Sequence, residues 1–400
     1  MTWKEWTLDE LGHVSRGRSR HRPRDAAHLY GGPHPFFQTG DIKAAQLYLT
    51  DYSQTYSEAG LEQSRKWPAG TLCITIAANI AETAILGIDA CFPDSVIGFI
   101  ADEAKCDVRF IKYKLDVVKR IFQQVSHGAA QDNLSQEKLL SFPLLIPEPT
   151  IQRRIADVLS AYDDLIENNR RRMALLEESA RLLYQEWFVR LRFPGHEHVR
   201  IVKDLPEGWT RRSLSEVAEF RLGKMLDQNK NKGDLMPYLA NVNVRWGAYD
   251  FSNLREMRFE HDELEAFGLK YGDIVMCEGG EPGRCAIWKE QMPGMMIQKA
   301  IHRIRARDNM HHAYLYYSLR HQGQSGHLAT LFTGATIKHL PREKLEKVTI
   351  VTPAARLMDL FIEQVGPIEG QLKVLEATNR RASEARDLLL PRLMSGEVAV

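Results

Sequence analysis

From Ile155 onward, seam positions recur at alternating intervals of four and three: Ile155, Leu159, Tyr162, Ile166, Asn169, Met173, Leu176, Ala180, Leu183 and Trp187. That spacing holds one stripe on one side of a helix and is the seam of a coiled coil. Its outer face carries "ENNRRR" and "EES", which is solvated charge. A helix from about Gln152 to Trp187 would be roughly 50 Å long at about 1.5 Å per residue. A second stripe follows 206 positions later: Phe361, Val365, Ile368, Leu372, Leu375, Asn379, Ala382, Arg386, Leu389 and Leu393. It is less regular, because Arg386 falls on the seam. Gly366-Pro367 is expected to break or kink this helix, and Pro391 to end it. Asn169 and Asn379 are polar positions on otherwise mostly apolar seams. Each is either a buried amide that fixes register or a frayed, solvated point. Either stripe alone also fits an ordinary amphipathic helix on a core. Two of them in one chain suggest that they pack on each other, and if antiparallel they act as a ruler between two globular parts.

Outside the stripes the pattern changes to short β-rich runs, "GTLCITI", "GDIVMC" and "KVTIVTP", interrupted by helical patches such as "FIKYKLDVVKRIFQQV" and "AYLYYSLRHQ". This is a mixed α/β reading with Gly and Pro punctuation. The pattern also repeats. Trp6, Thr7, Leu11 and Val14 recur 203 positions later as Trp209, Thr210, Leu214 and Val217. "PFFQTGDIK" faces "PYLANVNVR" at an offset of 202, and "GAAQDNLSQEKL" faces "GATIKHLPREKL" at 206. An ordered series at a nearly constant offset is a tandem duplication. The expected architecture is two α/β (mixed α+β) globular domains, 1–149 and 196–352, with helical spacers at 150–195 and 353–400. The two spacers pack as an antiparallel coiled coil with pseudo-twofold symmetry.

Composition adds exclusions. Lys and Arg number 53 against 52 acidic residues, so affinity for a polyanion must come from local patches. No run approaches a membrane span and the amino terminus lacks a signal-peptide core, so no membrane partner is expected. Cys73, Cys91, Cys106, Cys277 and Cys285 show no CxxC spacing and read as buried thiols in a reducing cytoplasm.

The clearest local patch is "SRGRSRHRPRD", with Arg16, Arg18, Arg20, Arg22 and Arg24 at every second position. An extended backbone sends such residues to one side, and guanidinium groups suit phosphate and guanine. A solvated loop is the bland alternative. In the second copy "LANVNVRW" predicts a strand with Asn241, Asn243 and Arg245 on one face and Val242 and Val244 inward. The matching first-copy positions are Thr39, Asp41 and Lys43, next to Gln38, so both copies are polar at one place. Lys224, Lys230 and Lys232 are candidate phosphate contacts. In the glycine-rich "CEGGEPGRCAIW", Glu278, Glu281 and Arg284 are candidate base readers, with Asn79 in the corresponding first-copy loop. Gln131, Asn133 and Lys338 complete the set near the end of each copy.

For catalysis, Pro93-Asp94 followed by Glu103-x-Lys105 satisfies the permissive PD…ExK form of metal-dependent nucleases. The second copy lacks it, and no other catalytic or metal-ligating constellation is expected. A nuclease and a coiled-coil scaffold without DNA affinity are the competing readings.

"SRGRSRHRP…LYGGPHPFFQTGDI" and "GKMLDQNKNKG…PYLANVNVRW…GDIVMCEGGEPGRCAIW…IQKAIHRIR" resemble target-recognition domains of specificity subunits from Type I restriction–modification enzymes. "IENNRRRMALLEESARLLYQEWF" and "ARDLLLPRLMSGE" resemble that family's central and distal helical regions. The resemblance implies a non-catalytic subunit whose two domains each read half of a bipartite double-stranded DNA target across a helical ruler. It implies two methyltransferase subunits and restriction subunits as partners. S-adenosylmethionine, ATP and Mg²⁺ would then act on those partners, with no cofactor on this chain.

Overall fold

The computed structural model describes residues 3–77, 79–127, 134–227 and 231–400. The chain forms two compact units. The first holds residues 1–169 and 378–400, the second residues 170–377. Each therefore contains one globular copy and part of both long helices.

In the first unit, β1 (Gly12–Arg16), β2 (Leu72–Thr75), β3 (Thr83–Leu86) and β4 (Val96–Ala101) form an antiparallel sheet in the order β1-β4-β2-β3, with Tyr48–Leu49 added parallel to β3. β2 and β3 are fully buried along their length, because both sheet faces are covered. Leu72 and Ile74 point into one core and Cys73 into another, as the period of a strand requires. The first core is closed by helix α1 (Val108–His127) through Phe110, Ile111 and Tyr113.

The second unit repeats this construction. β5 (Ala218–Leu222), β6 (Ile274–Cys277), β7 (Cys285–Ile287) and β8 (Ile301–Ala306) lie in the order β5-β8-β6-β7. The correspondence reaches single registers: Ile74 pairs with Thr83 in one hairpin, and Met276 with Cys285 in the other, both 202 positions on. A smaller second sheet also recurs. Its central strand, Tyr30–Phe36 or Asp234–Leu239, is antiparallel to one neighbour and parallel to another. Phe36 faces Cys91, and Tyr238 faces Met296. The duplication inferred from offsets is thus a duplication of topology. Helix α2 (His312–Gln324) covers the second copy's sheet with Ala313, Tyr314 and Leu315.

The long helices run from Pro149 to Tyr184 and from Ala355 to Ser395. The predicted seam residues of both are buried or half-buried, so the alternating spacing is the packing stripe. Within the first unit Asn169 Nδ2 donates to Asn379 Oδ1 at 2.9 Å, and Asn379 Nδ2 donates to the Ile166 carbonyl. Asn169 is buried and Asn379 half-buried, and the hydrogen bond between them shows an ordered contact at the seam and not a frayed point. Arg386 is likewise no irregularity. It is ion-paired to Asp163, which is 2% exposed and whose other oxygen accepts from Tyr113 Oη at 2.5 Å. Within the second unit Tyr184, Trp187 and Phe188 pack around Phe361. These contacts join early residues of one helix to late residues of the other, so the pairing is antiparallel in each unit.

The expected break at Gly366-Pro367 and stop at Pro391 do not occur, and the distal helix is continuous through both. Both prolines lie on the exposed face. The carbonyls that lose a donor, those of Glu363 and Asp387, belong to exposed residues that water can reach. Phe361, Val365 and Leu372 hold the opposite face, each almost completely buried.

Candidate nucleic-acid interface

The arginine arm leaves β1 through Gly17, whose N–H donates to Val96 O at 2.8 Å; Arg18 N then donates to Phe92 O at 3.2 Å. A Cβ at residue 17 would stand 2.3 Å from Pro93 O, so glycine is required there. Gly17 and Ser19 face inward while Arg16 and Arg20 are exposed and Arg18 is half-buried, as the alternation predicts. Gln63 Oε1 holds this course by accepting from Arg20 N at 2.7 Å and His21 N at 3.1 Å. The alternation then fails. Arg22 turns back to donate to Ser19 O and His21 O, and Arg24 pairs with Asp94 at 2.8 Å. Three of the five arginines remain presented together. The sequence reading missed Arg65, which lies 4.0 Å over the Trp67 ring and donates to Ser15 Oγ beside the arm.

The equivalent passage in the second copy is Gly223-Lys224, whose N–H groups donate to Ile301 O and Ile297 O. Lys224 is not a free phosphate contact. It is 6% exposed, donates to Arg258 O at 2.9 Å, pairs with Glu263 and lies over Phe259. Lys232 is exposed, and Lys230 lies outside the described residues.

"LANVNVRW" is not a strand past Leu239: Asn241–Asn243 is a 3-10 turn. Asn243 is 4% exposed, accepts from Ala240 N at 3.0 Å and donates to Asp250 O. Val242 is exposed and Val244 fully buried, so the predicted two-sided pattern does not hold. The first copy has the same feature. Thr39–Ala44 is a short helix, and Asp41 Oδ2 accepts from Gln38 N at 2.7 Å. The recurring polarity of Asp41 and Asn243 is therefore a shared N-terminal cap, a structural need and not a shared surface. Thr39 is half-buried, and Gln38 Nε2 donates to Gln54 at 2.6 Å.

Beside each capped turn lies the loop of a hairpin, β2–β3 or β6–β7. In the first copy Lys43 Nζ donates to Asn79 Oδ1 at 3.4 Å. In the second, Asn241 Nδ2 donates to Gly279 O at 3.2 Å and Arg284 donates to Asn241 O at 2.9 Å. Arg284 also pairs with Glu281 at 2.6 Å and is largely buried. Arg245 donates to Val242 O at 2.6 Å and pairs with Asp250 at 3.2 Å, but stays about half exposed. Glu278 Oε1 lies within hydrogen-bond distance of His339 Nδ1, at 3.1 Å. Lys338 is exposed beside it, whereas Gln131 and Asn133 lie outside the described residues.

The metal-nuclease reading is overturned by geometry. Asp94 precedes and Glu103 follows β4, whose six residues span about 20 Å at about 3.3 Å each. Asp94 is paired with Arg24, and Lys105 Nζ donates to Glu10 O at 3.0 Å and lies 3.4 Å from Asp102. Among the described residues no group of three or more His, Cys, Asp or Glu side chains is placed to hold a metal ion. Burial pushes the Cys106 and Cys285 thiols up to about 12 and Cys277 up to about 11, which suppresses the nucleophilic thiolate. Among the described residues no helix is long and apolar enough to cross a membrane.

Two equivalent clusters of cationic and amide side chains, each built on a capped turn and a hairpin loop, thus recur in the two copies. Residues 1–178 match the family model of the Type I restriction modification DNA specificity domain. The Type I restriction enzyme MjaIX specificity subunit of Methanocaldococcus jannaschii is 22% identical over 99% of this chain and 94% of that protein. The HindI specificity subunit of Haemophilus influenzae is 22% identical over 68% of this chain and 72% of that protein. The crystal structure of the Type I restriction–modification S subunit from M. genitalium superposes with a TM-score of 0.57 at 15% identity, covering 98% of this chain and 96% of that one. Residues 1–178 thus match that family's DNA specificity domain, and the whole length of the chain is similar to a Type I specificity subunit.

Proposed function

We propose that this chain is the non-catalytic DNA-reading subunit of a Type I restriction–modification complex. Each copy reads one half of a bipartite duplex target, and the helices set the gap between the halves. It recruits two methyltransferase subunits, and restriction subunits join them. S-adenosylmethionine, ATP and Mg²⁺ serve the partners' chemistry.

One observation carries this reading: in both copies cationic and amide side chains, Lys43 with Asn79 and Arg284 with Asn241, stand where a turn meets a hairpin loop. Side-chain donors on loops suit base edges and phosphates, and two equivalent readers suit a target in two parts. Selection from a random duplex pool, with the chain co-expressed with its methyltransferase, tests it. Two short motifs at a fixed gap are expected; no enrichment would refute the assignment. Replacing Arg16, Arg18 and Arg20 together with alanine should weaken binding to all sequences. The salt slope should fall by roughly 0.9 for each phosphate that is no longer neutralised. An unchanged slope removes the arm from the interface.

A further inference from the structure

Two aliphatic side chains stand in solvent where the second copy's polar loops meet. Val242 is 58% exposed in the turn Asn241–Asn243, and Ile337 is 64% exposed in the loop before Leu340. Their backbones are firmly held. Thr333 and His339 exchange both backbone hydrogen bonds, at 2.9 and 2.8 Å, and so close the loop that carries Ile337. Gly334 makes its turn at φ +92°, where a Cβ would stand 2.1 Å from Ile337 O. His339 bridges to Gly279, whose carbonyl accepts from Asn241 Nδ2, so one glycine of the hairpin loop anchors both segments. Neither exposed side chain serves the core, which takes Leu239, Val244 and Leu340 from the same segments instead. Lys338 and Arg245 flank them, both exposed.

We propose that Val242 and Ile337 are specificity-determining contacts of the second copy, packing against thymine 5-methyl groups in the major groove. Thymine is the only base that presents a methyl there, and aliphatic side chains are its complement. The flanking cations suit the phosphates around such a contact. The first copy is built otherwise: Gly40 occupies the place of Val242, with nothing near its Cα that a side chain would meet. Methyl recognition at this position therefore belongs to the second half-site.

The inference rests on the duplex-reading function above, and its test separates the two. The full chain with its methyltransferase is bound to the selected duplex, with each thymine in turn replaced by deoxyuridine, which deletes only the methyl. Wild-type protein should lose roughly four-fold in affinity per methyl buried, at one or two positions of the second half-site. V242A or I337A should bind the thymine duplex more weakly and be indifferent to deoxyuridine at the matching position. First-half substitutions should affect wild type and variants alike. Failure to select any bipartite motif would overturn the functional reading. A clear motif whose second half shows no deoxyuridine effect, or an effect the variants retain, would overturn this inference alone. Variants that lose methyltransferase binding with DNA selectivity intact would place the two residues in a protein contact and also overturn it.

Discussion

The same pair of helices is closed by opposite chemistry in the two units. In the first unit the apolar stripe is interrupted by polar contacts: Asn169 meets Asn379, and Asp163 stands between Arg386 and the Tyr113 hydroxyl. Lys114 Nζ reaches Met394 O near the end of the distal helix. In the second unit the seam is aromatic, with Phe188, Trp187 and Tyr184 at 5.1, 6.2 and 6.2 Å from the Phe361 ring. Aromatic burial stabilises strongly but tolerates sliding, because it has little direction. A buried polar pair stabilises little in net terms, yet loses heavily when its partner is displaced. One unit thus supplies adhesion and the other register, and the proposed measurement of a gap between half-sites would need both.

The largest effect is expected from Phe361→Ala. Phe361 is completely buried, and truncating such a ring costs about 4 kcal/mol. The loss should be local. Cys277 and Cys285 are buried in the second unit, and Cys73, Cys91 and Cys106 in the first, so brief alkylation followed by peptide mapping reports which unit opens. Labelling of Cys277 and Cys285 should rise first. Equal labelling of all five would show that the units unfold together and that the aromatic seam is not a separate source of stability.

Next in size is Arg386→Ala, expected to cost about 3 kcal/mol because it strands a buried carboxylate at Asp163. The double substitution D163N/R386M should recover most of that loss in chemical denaturation. If the double variant is as unstable as the single one, packing at residue 386, and not its charge, holds the first unit's seam.

Much of this was legible in the chain. The four-three spacing located the seam, and the constant offset located the duplication, because both depend on burial periods that local sequence must obey. Arg386 looked like a fault on its stripe only because its partner Asp163 is 223 positions away, and a seam pattern does not show which charge answers which. Pro367 and Pro391 misled for a related reason: a proline's cost depends on whether the freed carbonyl faces water, which only the packed helix decides. The reading surface was the least legible part. Asp41, Asn243 and Lys224 carry side chains suited to DNA, and the fold uses them as caps and an internal ion pair. Val242 and Ile337 carry side chains suited to a core and stand in solvent. Residue type alone does not say which way a loop turns.

The smallest effect, and the sharpest on register, concerns Asn169. Asn169→Ala removes one hydrogen bond from a 2% exposed site and leaves Asn379 Oδ1 without its donor, a cost of about 1 kcal/mol. Replacing both asparagines with leucine removes the polar groups together and should leave stability unchanged or raised. The helices would then be free to pair in more than one alignment, since a buried polar position is what excludes the alternatives. If the helices set the gap between half-sites, the double leucine variant should select the same two motifs at a broadened set of spacings. The single alanine variant should keep one spacing and melt slightly earlier. A double leucine variant that retains one sharp spacing would show that the Asp163–Arg386 pair or the globular copies hold the register, and that the asparagine pair is a solution to burial and no more.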